Sequence, residues 1–254
     1  MGARVSTIWF VDTPDPAVVL QNAGNPDFEA SRAVAESLFP EMELAPTGVM
    51  PLINAAGVTD DVLFVGAFPG VVVICHKELS SSTPKATAPR WRSAIRANTT
   101  YLVASRPEDA WGSFAVWEGD KLARSFSSVP VTIFEDDGIP LLWERPYWAG
   151  EFPLAHPPGV LPDPQSLPFH PQQFAEAANI EWLGFRYTGS RPEGETDPSF
   201  IGVHGFTVHQ PGQAPRTAPP VAPAVDAATG NADTQQDGSP AKRSLLDRFR
   251  KKKR

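Results

Sequence analysis

The sequence contains a single cysteine, Cys75, among its 254 residues. One cysteine excludes an internal disulfide framework and indicates a reducing compartment. No apolar run reaches the roughly 18–20 residues needed to span a bilayer. The N-terminus also lacks the apolar core and small-residue cleavage site of a secretory signal. We therefore expect a cytoplasmic protein without a transmembrane segment.

Recognisable catalytic motifs are also missing. The sequence has no GxSxG nucleophile elbow, no P-loop, no GxGxxG turn after a strand and no HExxH zinc motif. Cys75 and His76 are neighbours, but adjacent residues of a strand point to opposite faces. A nucleophile–base pair is therefore not predicted here, and no catalytic residue or cofactor is expected.

Metal ligands at diagnostic spacing are absent as well. His204 and His209 are five residues apart, which places them on opposite faces of a strand. The acidic run from Glu135 to Gly138 lacks the further oxygen ligands of a calcium loop. We interpret this run as an acidic turn and predict no metal site.

A β-hairpin is the clearest local prediction, in a chain whose hydrophobic content of 41% suffices for a packed core. Two apolar-rich runs, Trp111–Trp117 and Leu122–Ser128, flank Gly119 and Asp120. This dipeptide suits a type II′ turn, because glycine reaches positive φ without a Cβ clash.

Arg124 stands out on the second strand of this hairpin. Alternation places it on one face with Leu122 and Phe126, where a cation needs a carboxylate partner. Glu135 and Glu144 are the two candidates, and a structural ion pair is the preferred interpretation.

Strands and helices follow one another in an irregular order along the rest of the chain. Predicted strands are Arg4–Val11, Val62–Glu78 with a break at Phe68-Pro69-Gly70, Thr99–Ala104, Val131–Phe134 and Phe200–Val208. The first predicted helix has Asn25 as its N-cap and Pro26 at its first position, and it ends at Pro40. Further helices are predicted over Pro89–Ala97 and from His170 to Gly184. The fold class is α+β: a single domain over residues 1–210 with a mixed, mostly antiparallel sheet and a few packing helices.

Charge divides the chain into an acidic body and a basic end. The whole chain carries −7 and residues 241–254 carry +7, so residues 1–240 carry −14. Residues 211–240 are rich in proline and alanine and are predicted to be a disordered linker.

The basic end combines cations with three apolar residues at helical spacing. Its candidate contact residues are Lys242, Arg243, Leu245, Leu246, Arg248, Phe249, Arg250, Lys251, Lys252, Lys253 and Arg254. Peripheral binding to an anionic membrane is one interpretation, and a solubilising tail that folds back on the acidic domain is another. Nucleic-acid binding is disfavoured because the body is acidic.

The segment from Glu144 to Glu151 is the remaining candidate site. Two acids seven residues apart stand beside Tyr147 and Trp148, which is a set that a carbohydrate or cation pocket uses. The same residues also suit a segment that closes the end of a sheet. Pro146 and Gly150 exclude a regular helix between the two acids.

A family resemblance rests on five segments. MGARVSTIWFVD, FVGAFPGVVVIC, FAVWEGDKLARSFSSVP, ERPYWAGEFP and LPFHPQQFAEAA follow in this order over most of residues 1–210. Together they resemble a family of uncharacterised actinobacterial proteins with a domain of unknown function. The resemblance implies a bacterial, cytoplasmic setting and brings no established catalytic residue. Members of that family often end near the last strand, so the resemblance implies that the tail of this chain is an addition to the family domain.

We interpret the chain as an intracellular binding or regulatory module whose partner is a protein or a small ligand. The candidate binding residues are Arg124, Glu144, Tyr147, Trp148 and Glu151. The alternative is a hydrolase or transferase that uses Glu144 and Glu151 as acid and base.

Overall fold

The computed structural model describes residues 2–154, 159 and 163–213. The strands of this part are β1 (Val5–Val11), β2 (Glu43–Pro51), β3 (Val62–Phe68), β4 (Val71–Cys75), β5 (Thr99–Arg106), β6 (Trp111–Glu118), β7 (Lys121–Val129), β8 (Thr132–Gly138) and β9 (Gly202–His209). They form one sheet in the order β2-β9-β3-β4-β1-β5-β6-β7-β8, and every neighbouring pair is antiparallel. This confirms the predicted α+β class.

Strand β1 lies at the middle of the sheet, and all seven of its residues are buried. Alternate side chains point to opposite faces of a strand. Val5 and Trp9 accordingly enter one hydrophobic core, whereas Ile8 and Phe10 enter another. The middle of the sheet is therefore covered on both faces.

Helices supply the two covering layers. They are α1 (Pro16–Gln21), α2 (Phe28–Leu38), α3 (Leu52–Ala55), α4 (Pro89–Arg92), α5 (Arg145–Trp148) and α6 (Pro171–Leu183). Helix α2 packs in the core of Ile8, and α6 packs on β5 and β6 in the core of Val5. No helix in the described ranges is both long and apolar enough to cross a membrane.

The helix predicted from His170 to Gly184 is confirmed as α6. His170 Nδ1 accepts a hydrogen bond from the Gln172 N–H at 3.2 Å, and Gly184 ends the helix. Polar side chains that accept from the first free N–H groups stabilise a helix start. The predicted cap of α2 was wrong, because Asp27 and not Asn25 accepts from Ala30 N–H, at 3.0 Å.

The hairpin is also confirmed, with Glu118 opposite Lys121 and Gly119 at a φ of +56°. Its second strand departs from strict alternation. Trp117 pairs with Leu122 while Val116 pairs with Arg124, so a bulge falls at Ala123. The predicted face shared by Leu122 and Arg124 was therefore wrong, because a bulge inserts one extra residue and reverses the alternation.

Four further segments differ from the sequence prediction. The acidic run from Glu135 to Gly138 is part of strand β8 and not a turn. The helix expected over Pro89–Ala97 is the single turn α4. Strand β2 and helix α1 were not predicted, and β2 contains Pro46 and Gly48, which are unfavourable inside a strand. The predicted basic end at residues 241–254, and all of the predicted linker (residues 211–240) except residues 211–213, lie outside the described residues.

Candidate functional site

Arg124 is the centre of the site, and its side chain is completely buried on β7. Its Nε and Nη2 atoms donate to the two carboxylate oxygens of Glu144, both at 2.9 Å. A planar guanidinium that meets both oxygens of a carboxylate forms a strong, geometrically specific ion pair. Of the two partners that the sequence left open, the structure selects Glu144.

The same guanidinium also holds strand β8. Its Nη1 atom donates to Asp136 Oδ1 at 2.5 Å and to the Asp137 carbonyl at 3.0 Å. Burial opposes the positive charge, but the hydrogen bonds and charges of Glu144 and Asp136 outweigh it and raise the pKa of Arg124. Arg124 therefore stays charged and joins β8 to the segment that carries Glu144.

Glu144 is as buried as its partner, and both of its oxygens are occupied. Besides Arg124, Oε1 accepts from the Leu141 N–H at 3.0 Å and Oε2 accepts from Trp148 Nε1 at 3.2 Å. A general acid or base must come within hydrogen-bond reach of a substrate proton. Glu144 has no surface through which to do so, and its contacts favour the structural interpretation.

The five candidate residues separate into two groups. Arg124, Glu144 and Trp148 are joined by hydrogen bonds, and Tyr147 packs in the same aromatic cluster as Trp148. Glu151 is exposed. Because one acid is sealed and the other faces solvent, Glu144 and Glu151 do not line a common cleft. The geometry does not favour the hydrolase or transferase alternative.

An aromatic cluster fills the space beside the ion pair. Phe114, Phe126, Phe169 and Phe174 are buried there, with half-buried rings against them. Ring centroids lie 5.1 Å apart for Tyr147 and Phe174 and 5.0 Å apart for Trp148 and Phe169. Such separations are typical of packed aromatic pairs. The segment that includes α5 therefore closes a core, and its single helical turn replaces the predicted irregular path.

Sequence reasoning missed a group of exposed apolar side chains on and beside the outer strand β8, which we call the β8 edge surface. It consists of Val131, Ile133, Phe134, Ile139 and Leu142, whose exposed fractions are 47%, 43%, 47%, 85% and 75%. The apolar pattern of Val131–Phe134 correctly predicts a strand. Its exposure follows from the terminal position of β8, which is a property of the sheet order and not of the local sequence.

The cysteine and the possible metal ligands are the remaining chemical candidates. The Cys75 thiol is buried, and burial raises its pKa. A thiol held in its protonated form is a poor nucleophile. Among the described residues, no group of three or more His, Cys, Asp or Glu side chains is arranged to hold a metal ion.

These observations define a class of protein: an antiparallel α+β domain with helices on both faces and a sealed arginine–glutamate pair at one end of its sheet. The chain belongs to a family of unknown function (DUF6928), whose model matches residues 5–206. The match includes the ion pair and almost the whole described sheet. No curated protein and no solved structure matches the chain.

Proposed function

We propose that the protein is a non-catalytic binding module that takes a protein partner along the β8 edge surface. One observation carries this proposal: five of the nine large apolar side chains that are exposed in the described residues fall within residues 131–142. Concentrated apolar surface is typical of an interaction site, whereas single exposed apolar residues are ordinary.

The strand edge itself supports the proposal. β8 is the last strand in the sheet order, so its outer backbone groups have no neighbouring strand among the described residues. An exposed edge can accept an extended peptide as an additional strand, with side chains beside it providing selectivity. The β8 edge surface has both features.

The buried ion pair contributes rigidity to this surface. Arg124 binds Asp136 and the Asp137 carbonyl before Ile139, and Glu144 binds the Leu141 N–H before Leu142. A binding surface that is ordered in advance loses less conformational entropy when the partner binds. We therefore propose that Arg124 and Glu144 order the β8 edge surface without contacting the partner. Tyr147, Trp148 and Glu151 remain proposed contact residues at its border.

Charge indicates the chemistry of the partner. The side chains of Asp136 and Asp137 on β8 are about half exposed, and Lys85 Nζ lies 3.2 Å from Asp137 Oδ2. Pairing of two β8 strands would bring like charges together, which is destabilising. We infer that the partner segment is extended, apolar and basic, and that it belongs to a bacterial cytoplasmic protein, as the single cysteine and the family resemblance support.

Selection from a random peptide library tests this function. Enriched peptides should combine apolar and basic residues, and Ile139→Asp or Leu142→Asp should weaken their binding at least tenfold. Val49→Asp on β2 and Phe200→Asp are matched controls, because these side chains are also exposed, at 52% and 82%. Equal losses in all four variants, or enrichment of acidic peptides, would contradict the proposal.

We also propose that residues 241–254 bind anionic membrane surfaces peripherally. Eight cations next to Leu245, Leu246 and Phe249 support this, because basic amphipathic segments combine shallow apolar insertion with electrostatic attraction. The full chain should sediment with phosphatidylserine vesicles at low salt and not with neutral ones. Equal sedimentation of a chain that ends at Gln210 would refute the proposal.

A further inference from the structure

Three basic residues meet where three central strands of the sheet begin or end, away from β8 in the strand order. Arg4 immediately precedes β1, Lys77 follows β4 and Arg106 ends β5. Strand β1 lies between β4 and β5 and is antiparallel to both. The start of β1 therefore lies beside the ends of its two neighbours, which brings the three cations together.

A pocket of about 200 Å³ opens between these residues. Its charged and hydroxyl lining consists of Arg4, Ser6, Thr59, Lys77, Ser80 and Arg106. All three of its charged lining residues are cations, although residues 1–240 carry a net charge of −14. The local charge of the wall thus opposes the charge of the body.

Each of the three cations pairs with a carboxylate that is more exposed than the cation itself. Side-chain exposure is 30% for Arg4 and 61% for its partner Glu108. It is 41% for Lys77 and 65% for Asp61, and 31% for Arg106 and 46% for Asp109. Each cation is thus ion-paired, but the paired acids are more exposed and none of them lines the pocket.

Ser80 and Arg106 each add a feature that suits the pocket to a ligand. The Ser80 hydroxyl oxygen is buried and has no hydrogen-bond partner among the described residues. A buried polar atom without a partner is uncommon and costly. The Arg106 guanidinium carbon lies 4.4 Å from the Trp111 ring centroid, a cation–π contact that fixes the position of the guanidinium.

We propose that this pocket binds a phosphate-type oxyanion, either free phosphate or the phosphoryl group of a small metabolite. Arginine forks match the oxygens of a phosphate, lysine adds a compact charge, and hydroxyl groups donate further hydrogen bonds. Binding would also give the Ser80 hydroxyl a partner. This site uses β1, β4 and β5 and is independent of the β8 edge surface.

Calorimetric titration of the full chain with inorganic phosphate and with glycerol 3-phosphate tests the site. Ionic strength is held constant, because screening changes with salt. We expect saturable binding of at least one probe. Lys77→Met and Arg106→Gln should each weaken it about tenfold, since hydrogen bonds to charged groups are among the stronger ones, and Ser80→Ala should weaken it several-fold.

The matched controls are Lys85→Met and Arg32→Gln, which also remove a partly exposed, ion-paired cation but lie outside the pocket. They should leave binding unchanged. Stronger binding of glycerol 3-phosphate indicates a small metabolite, and stronger binding of inorganic phosphate indicates free phosphate. Absence of saturable binding to the wild-type protein, or equal losses in pocket and control variants, would overturn the proposal.

Discussion

Arg124 and Glu144 form a two-pronged ion pair across twenty residues of sequence, and neither side chain has any exposed surface. Removing two charges from water is costly, and the cost is offset only where geometry is good and the remaining polar atoms are satisfied. The Leu141 N–H and Trp148 Nε1 meet this requirement on the Glu144 side. Each buried charge is therefore tolerated only while its partner is present.

Glu144→Leu should lower the free energy of unfolding by about 3–5 kcal/mol, because it leaves the Arg124 charge buried without its main partner. Urea denaturation measures this change. Arg124→Met combined with Glu144→Leu should recover much of the loss. Glu36→Ala is the control: its pair with Arg32 is half exposed, so a loss within about 0.5 kcal/mol is expected. Similar losses for the two glutamates would contradict the buried-pair interpretation.

Stability should fall as the pH is lowered from 7.5 to 5.5. His76 is buried, and its ring stacks on that of Trp91 with the centroids 4.8 Å apart. Its Nδ1 atom accepts a hydrogen bond from the Glu78 N–H. Burial lowers the pKa of His76 from 6.5, and burial also lowers the pKa of His170. The unfolded chain therefore binds more protons below about pH 6.5, so the folded state loses stability there.

Urea denaturation at several pH values measures the slope with which the free energy of unfolding changes with pH. His76→Gln and His170→Gln should each reduce it, and the double variant should reduce it most. A wild-type stability that stays constant between pH 7.5 and 5.5 would contradict the prediction.

Local signals account for the elements that the sequence predicted well. Helix α6 has a cap at His170 and a stop at Gly184, and the β6–β7 hairpin has its turn at Gly119. Each of these signals acts within a few residues, so it can be identified without knowledge of the rest of the fold. The same holds for the break between β3 and β4 at Pro69.

The features that the sequence did not predict depend on distant residues. Asp136 lies in a strand because β7 pairs with it and Arg124 holds its side chain. The pocket of Arg4, Lys77 and Arg106 exists only because β4, β1 and β5 are neighbours. A sequence shows that cations flank these strands, but it does not give the strand order.

Gly138→Ala should destabilise the protein more than Gly119→Ala, although both glycines have positive φ, +85° and +56°. The left-handed conformation costs alanine about 1–2 kcal/mol at either position. A Cβ at Gly138 would also lie 2.2 Å from the Ala123 carbonyl oxygen, whereas one at Gly119 would meet nothing within 4 Å. We expect a further loss of about 1–3 kcal/mol at Gly138 from overpacking, measured by urea denaturation. Equal losses would show that β8 shifts freely away from the bulge at Ala123.

Cys75 should react with a thiol reagent only when the sheet opens. It is fully buried at the end of β4, and burial raises its thiol pKa. At pH 8 native protein should react at least a thousandfold more slowly than N-acetylcysteine, because a domain of ordinary stability opens rarely. Glu144→Leu should accelerate labelling by about a hundredfold to a few thousandfold if opening is global, since about 1.4 kcal/mol corresponds to a factor of ten. A native thiol that reacts as fast as the free compound would contradict its burial. An unchanged rate in Glu144→Leu would instead mean that β4 opens separately from the end of the sheet that holds Arg124.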